Sequence, residues 1–123
     1  MKKVTFDPAQ NLDLYFRKGR NGSKVLNFFD AAGVEYDLTG QTFNFVGFPV
    51  TLTVLTNTIT IEIDENEDIP RYSYFWELIN TVTGKTWLCG TAYFTDGLSA
   101  AVADSENITI ALSGETVNIT ITV

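Results

Sequence analysis

The sequence predicts an all-β domain, a sandwich of about eight or nine short antiparallel strands. Apolar and polar residues alternate along nearly every apolar stretch, which is the period of a half-buried strand. Turn-forming residues separate these stretches, and no stretch keeps the 3.6-residue apolar period of a helix. Aromatic residues, which suit a pleated surface, make up 13% of the chain. Because no helices are expected to cover the strands, two sheets must pack on each other, and a sandwich is favoured over a barrel.

The alternation places nine strands in chain order. They are expected at residues 12–16, 25–30, 42–47, 50–54, 59–63, 72–80, 86–95, 107–112 and 116–123. Turns rich in Gly, Asn and Thr join the last strands into hairpins. Residues 96–105 are expected to form a loop or a short helical turn. The whole chain, 1–123, is predicted to be one domain, with residues 1–10 as an N-terminal arm and 106–123 as a C-terminal hairpin.

The composition argues against an enzyme. There is no histidine, which removes the commonest general base, the commonest metal ligand and the usual catalytic triads. No glycine-rich phosphate loop precedes a helical pattern, and most carboxylates fall in turns. We therefore expect no catalytic residue, no cofactor and no metal. The single cysteine, Cys89, cannot form an internal disulfide and is expected to be a small buried apolar residue.

An acidic loop at residues 64–70 is the best metal candidate. Asp64, Asn66 and Asp68 resemble the first three ligand positions of a calcium loop. However, Ile69 stands where the turn requires glycine, and Phe75 stands where a bidentate Glu is required. A solvated hairpin end is therefore favoured over a calcium site.

The charge distribution is asymmetric. Residues 1–24 hold six of the eight basic residues and two of the fifteen acidic ones, so this segment carries +4 and residues 25–123 carry −11 of the total of −7. A nucleic-acid-binding protein would carry a basic face over much of its surface, so nucleic acid is not expected as a partner. Either the body is acidic and solvated with a basic loop, or Arg17, Lys18 and Arg20 meet acidic surfaces of neighbouring copies.

Two aromatic strands, at residues 72–80 and 86–95, provide a candidate contact surface. By alternation, the residues expected to face inward on the first are Tyr72, Tyr74, Trp76 and Leu78. The residues expected on the outer face of the two strands are Phe75, Ile79, Trp87, Cys89 and Tyr93. A sandwich covers one face of each sheet, so Phe75, Ile79, Trp87 and Tyr93 are candidate interface residues. Ordinary aromatic cover and a sugar-binding platform are the alternatives.

The chain is expected neither to span a membrane nor to carry a secretion signal. No window approaches the roughly 18 apolar residues of a membrane span. The basic start of the chain is not followed by an apolar run of signal-peptide length. We expect a protein that is synthesised in a cytoplasm.

Several short stretches resemble a recurring module of tailed phages. They are DAAGVEYDLTG at residues 30–40, TFNFV at 42–46, YSYFWEL at 72–78, TGK at 83–85 and CGTAYF at 89–94. Together they resemble the immunoglobulin-like N-terminal domain of phage upper baseplate proteins and related tail and fibre proteins. The resemblance covers roughly residues 10–95. It implies an immunoglobulin-like β-sandwich that docks within a virion, with no catalytic or cofactor residues.

The resemblance makes a non-catalytic virion structural protein the expected function. The chain would be a tail, baseplate, connector or capsid-decoration component, made in the host bacterial cytoplasm and incorporated into the virion. Its partners would be other virion proteins and copies of itself. The alternative is a carbohydrate- or surface-binding β-sandwich that binds glycans weakly.

Overall fold

The computed structural model describes residues 10–30, 32–96, 104–113 and 116–122. Within these ranges the chain forms ten strands and no helix. The strands are β1 (Gln10–Asn11), β2 (Leu14–Arg17), β3 (Gly22–Phe29), β4 (Phe43–Val46), β5 (Thr51–Val54), β6 (Thr58–Ile63), β7 (Ser73–Asn80), β8 (Lys85–Thr95), β9 (Ser105–Ser113) and β10 (Thr116–Thr122). Each of the nine predicted strands has a counterpart, but the first begins at Leu14 rather than at residue 12, and β1 precedes it. Residues 1–9 of the predicted arm, and residues 97–103 of the predicted loop or helical turn, lie outside the described residues.

The strands form two five-stranded sheets. In the first sheet the order is β4-β7-β8, with β1 and β2 following one another along the other side of β8. In the second sheet the order is β5-β6-β3-β9-β10. The all-β sandwich predicted from the alternation is therefore confirmed.

Three pairings are parallel, which corrects the expectation of antiparallel strands throughout. Both β1 and β2 run parallel to β8, and β3 runs parallel to β9. The pairs predicted as hairpins, β5–β6, β7–β8 and β9–β10, are antiparallel. A hairpin turn forces its strands to be antiparallel, whereas the parallel pairs join strands far apart in the sequence, where no turn sets the direction.

The core lies between the sheets and is built from alternate strand positions, with aromatic rings concentrated toward the two ends of β8. At one end Trp87 meets Phe28, Tyr36 and Phe43 at centroid distances of 6.0, 6.5 and 5.0 Å. At the other end Phe94 meets Phe16, Phe48 and Tyr74 at 5.3, 5.1 and 5.6 Å. Such edge-to-face and stacked ring contacts stabilise a core beyond the area that they bury.

The backbone of Leu12 lies against Gly90, and this contact separates β1 from β2. The two short strands share one register along β8, interrupted at Leu12 and Asp13. The carbonyl oxygen of Leu12 accepts a buried hydrogen bond from the indole N–H of Trp76 at 3.1 Å. A Cβ atom on Gly90 would lie 2.0 Å from that oxygen. Asp13 completes the junction, because its Oδ1 accepts a hydrogen bond from the backbone N–H of Thr91 at 3.0 Å.

Lys24 is a charged residue buried on the core side of β3. It is 1% exposed, and its ammonium group pairs with Glu106, which lies directly opposite on β9. The ammonium also lies 4.9 Å from the ring centroid of Phe16. Lys24 therefore contributes little to the surface charge of the basic N-terminal segment. Instead, the ion pair joins β9 to β3 inside the sandwich.

We predict that Gly90→Ala destabilises the fold by about 3 kcal/mol, the upper end of the usual cost of overpacking. The added methyl group would collide with the Leu12 carbonyl, and Trp76 would lose its hydrogen-bond acceptor. Urea denaturation measures the change in the free energy of unfolding. Thr91→Ala, one position along β8, is the control and should cost about 0.5 kcal/mol. Equal losses in the two variants would contradict the proposed role of the contact.

We predict that Lys24→Met costs about 3–5 kcal/mol, because it leaves the Glu106 carboxylate largely buried without its partner. The double variant Lys24→Met/Glu106→Leu should recover most of this loss, since it removes both charges. Thermal and urea denaturation of the single and double variants measure the coupling between the two residues. A double variant as unstable as the single one would show that the ion pair is not the cause.

Candidate interaction surface

The outer face of the first sheet carries an exposed group of aromatic side chains. Tyr15, Phe75 and Tyr93 are 44%, 63% and 39% exposed, and we call these three residues the aromatic face. The rings of Tyr15 and Tyr93, which are paired across β2 and β8, stack at 5.2 Å with an interplanar angle of 17°. Tyr93 is in turn opposite Ser73 on β7, two residues before Phe75. The predicted exposed positions of Phe75 and Tyr93 therefore lie on one continuous surface.

Ile79 and Cys89 lie on the same outer face but are half-buried. Cys89 is opposite Glu77 on β7. Burial, together with the nearby Glu77 carboxylate, raises the pKa of the Cys89 thiol above its ordinary value. A raised pKa disfavours the thiolate, so the environment does not activate Cys89 as a nucleophile. Ile79 and Cys89 extend the aromatic face with apolar area rather than with reactive groups.

Trp87 is in the core and is not part of this surface, which corrects its prediction as an interface or sugar-stacking residue. It is 7% exposed. The cause is a β-bulge, because Ile79 pairs with Thr86 while Leu78 pairs with Leu88, and Trp87 is the extra residue between them. A bulge reverses the alternation on one side of itself. Trp87 therefore faces inward together with its neighbour Leu88.

Tyr72 is 60% exposed, which corrects its expected inward position. It precedes β7, which begins at Ser73, so the alternation within β7 does not bury it. The ammonium of Lys18 lies 3.7 Å from the centroid of the Tyr72 ring. Lys18 is held nearby because its backbone N–H donates to the carbonyl of Thr95. One of the three basic residues predicted to meet neighbouring copies therefore contacts an aromatic ring of its own chain.

Arg17 and Arg20, the other two basic residues of that prediction, converge on Asp104 of the same chain. Arg20 donates two hydrogen bonds to Asp104 Oδ2, from Nε at 3.0 Å and from Nη2 at 2.7 Å. Arg17 Nε lies 3.5 Å from Asp104 Oδ1. The hydrogen bond from Arg20 and the positive charges around it hold the pKa of Asp104 below its ordinary value. The loop between β2 and β3 is thereby joined to the start of β9.

Acidic residues at this end of the sandwich line a shallow cleft. This cleft of about 420 Å³ includes Glu62, Asp64 and Asp104 in its lining. Within the described ranges, no group of three or more His, Cys, Asp or Glu residues is arranged to hold a metal ion. Asp64 accepts a hydrogen bond from the backbone N–H of Asn66 at 2.8 Å, which closes a local turn. The described geometry therefore lends the calcium alternative no support.

Tyr15 is the surface residue that sequence reasoning missed. Alternation in the first strand places it on the face opposite Leu14 and Phe16, so its exposure could be predicted from the sequence. Its position beside Tyr93 could not be predicted from the sequence, because it depends on a parallel pairing between residues 78 positions apart. No local turn or motif specifies such a pairing.

Comparisons with protein-family models, with curated proteins and with solved structures found no match to this chain. In the part of the chain that the structure describes, no helix is long and apolar enough to cross a membrane.

We predict that Asp104→Asn lowers the melting temperature at neutral pH and that the difference from the native protein disappears in acid. Because the pKa of Asp104 is lower in the folded chain, its charged form stabilises the fold above the unfolded-state pKa. This stabilisation is lost as the pH falls through the folded-state pKa. Melting curves from neutral pH to strongly acidic pH measure the effect. Asp96→Asn, at an exposed position after β8, is the control, and a difference that persisted in acid would contradict the charge-based explanation.

Proposed function

We propose that this protein is a non-catalytic structural component of a tailed-phage virion that acts through protein–protein contacts. The observation that carries the proposal is the aromatic face, formed by Tyr15, Phe75 and Tyr93 on the outer side of the first sheet. Exposed aromatic clusters are typical of interaction sites, and Tyr and Phe are enriched at the centres of interfaces. The tail, baseplate, connector and capsid-decoration roles are all compatible with such a face.

The strand order supports an immunoglobulin-like assignment, which is the part of the phage resemblance that concerns the fold. Strands β3, β6 and β5 lie in one sheet and β4, β7 and β8 in the other. When β3 to β8 are lettered B to G along the chain, the first group is strands B, E and D and the second is strands C, F and G, as in an immunoglobulin sandwich. The added β9–β10 hairpin extends the first of these groups beside β3.

A tyrosine near the start of β7 adds local support for the same assignment. The Tyr74 hydroxyl accepts a hydrogen bond from the backbone N–H of Arg71 at 3.2 Å. Immunoglobulin-type sandwiches have a similar tyrosine corner near the start of strand F, with the hydroxyl bonded to the backbone a few residues upstream. Trp76 follows two residues later, stacked on Phe45 of β4 at 5.5 Å. The position of the second cysteine of antibody domains is thus occupied by a large core residue.

Glycan binding is the second candidate, because exposed aromatic rings also stack on sugars. The geometry of the aromatic face favours protein contact, since Tyr15 and Tyr93 stack on each other and each covers one face of the other ring. Trp87, one of the residues considered for sugar stacking, is buried. Phe75, at 63% exposed, is the most accessible aromatic ring on this face.

Mass spectrometry of purified particles from the source phage, or from an induced prophage, tests the proposal. The protein should be present in intact virions. Absence from virions despite abundance in infected cells would overturn the structural role. Glycan-array binding that depends on Phe75 would favour the second candidate instead.

We predict that the triple variant Tyr15→Ser/Phe75→Ser/Tyr93→Ser keeps its fold and lowers the copy number per particle about ten-fold or more. Truncating a single interface aromatic residue at a hot spot costs about 2 kcal/mol of binding. Quantitative mass spectrometry of particles made with the variant measures the copy number. The matched control is Val34→Ser/Leu55→Ser/Val82→Ser, which removes three apolar side chains that are 60%, 62% and 64% exposed and lie outside the strands. Equal copy numbers in the two triple variants would rule out the aromatic face as the docking surface.

A further inference from the structure

The four edges of the two sheets differ in how well they are protected against pairing with another strand. In the first sheet, β4 has four residues, and the opposite edge is broken between β1 and β2. In the second sheet, β5 has four residues while β10 has seven. Short, interrupted or charged edges resist pairing with another chain. The seven residues of β10, TVNITIT, include no charge, proline or glycine, so this edge has none of those protections.

Strand β10 lies at the edge of the second sheet, next to β9. At the other side of the sandwich β4 contacts β5, and at this side β10 makes its extensive contacts with β9 within the described residues. By register, Ile119 and Ile121 are paired with Ile110 and Ile108 of β9. They therefore share the sheet face on which Ile108 and Ile110 are buried in the core.

The chain itself shows which kind of strand fits this edge. The tetrapeptide NITI occurs twice, at residues 107–110 in β9 and at residues 118–121 in β10. The two copies pair antiparallel, with Thr109 opposite Thr120 and an isoleucine opposite an isoleucine on each side. An NITI strand is therefore already an antiparallel partner for another NITI strand within one molecule. Within the described residues, no strand pairs with the other side of β10.

We propose that two copies of this chain pair through their β10 strands, antiparallel and centred on Thr120, to form one continuous ten-stranded sheet. The register copies that of β9 on β10, so that Ile119 of each copy lies opposite Ile121 of the other. Such a contact is isologous and closes as a two-fold dimer. Because β10 carries no charge, its self-pairing places no like charges opposite each other. The inference concerns an edge separate from the aromatic face and does not depend on the proposed virion role.

The mass in solution tests the pairing. Light scattering coupled to size-exclusion chromatography, over a wide range of concentrations, should show the native chain reaching a dimer. Asn118→Lys/Thr120→Lys should halve the mass, because the proposed register sets two ammonium groups opposite each other at position 120. Thr51→Lys/Thr53→Lys, on the exposed outer side of the edge strand β5, is the matched control and should leave the dimer intact.

Three results would overturn the proposal. The first is a native chain that stays monomeric at every concentration. The second is dissociation of the β5 control together with the β10 variant. The third is a dimer that survives the β10 lysines and is lost when Tyr15, Phe75 and Tyr93 are changed to serine, because the aromatic face would then be the dimer contact.

A cysteine experiment tests the register in a chain that keeps its β10 edge uncharged. Residues directly opposite each other in an antiparallel pair have Cβ atoms about 5 Å apart. In a Cys89→Ser background, Thr120→Cys should therefore form a disulfide-linked dimer under mild oxidation. Thr53→Cys in the same background should not. Absence of the cross-link with Thr120→Cys, or an equal yield with Thr53→Cys, would contradict the proposed pairing even if the lysine variant failed to fold.

Discussion

The hydrogen bond between the Leu12 carbonyl and the Trp76 indole is the constraint on which the arrangement of the first sheet depends. It holds the backbone of residues 12–13 over Gly90, the only residue type that leaves room for it. An indole N–H in a core requires an acceptor, because a buried donor without one costs about 1–3 kcal/mol. The chain supplies that acceptor by interrupting a strand rather than by adding a polar side chain. The interruption leaves the register unchanged, so β2 continues along β8 in the register of β1.

The candidate surface follows from this placement. With β2 fixed along β8, Leu14 and Phe16 point into the core, and Tyr15 between them is set beside Tyr93. The next turn brings Arg17 and Arg20 to Asp104 at the start of β9. The buried pair of Lys24 and Glu106 then joins β3 and β9 from inside. The basic segment that sequence reasoning assigned to contacts between copies is thus partly used to hold the added hairpin to the sandwich.

Local patterning predicted the strands well and their long-range partners poorly, for a physical reason. Alternation along residues 59–63 needs only the period of a strand, and Ile59, Ile61 and Ile63 are buried as that period requires. Alternation alone cannot place Trp87. The pair next to the hairpin turn, Ile79 with Thr86, and the next pair along the strands, Leu78 with Leu88, follow different registers. Trp87 is the extra residue in the bulge between them. The ion pairs to residues 104 and 106 likewise join positions more than 80 apart. No short motif encodes such contacts. The outer-face positions of Phe75 and Tyr93 could therefore be predicted from the sequence, whereas the inward orientation of Trp87 could not.

The two proposed surfaces are geometrically compatible. Antiparallel pairing of two β10 strands in one sheet is related by a two-fold axis normal to that sheet, so the second sheets of both copies face the same way. Both first sheets then lie on one side of the ten-stranded sheet, and both aromatic faces point outward on that side. A dimer of this kind presents two identical docking faces to a common partner surface. Linked faces gain effective concentration when the partner repeats at a matching spacing, so that contacts that are weak singly become firm together. A symmetric particle provides such a repeating partner, which is the physical reason that edge pairing and the proposed virion role would reinforce each other.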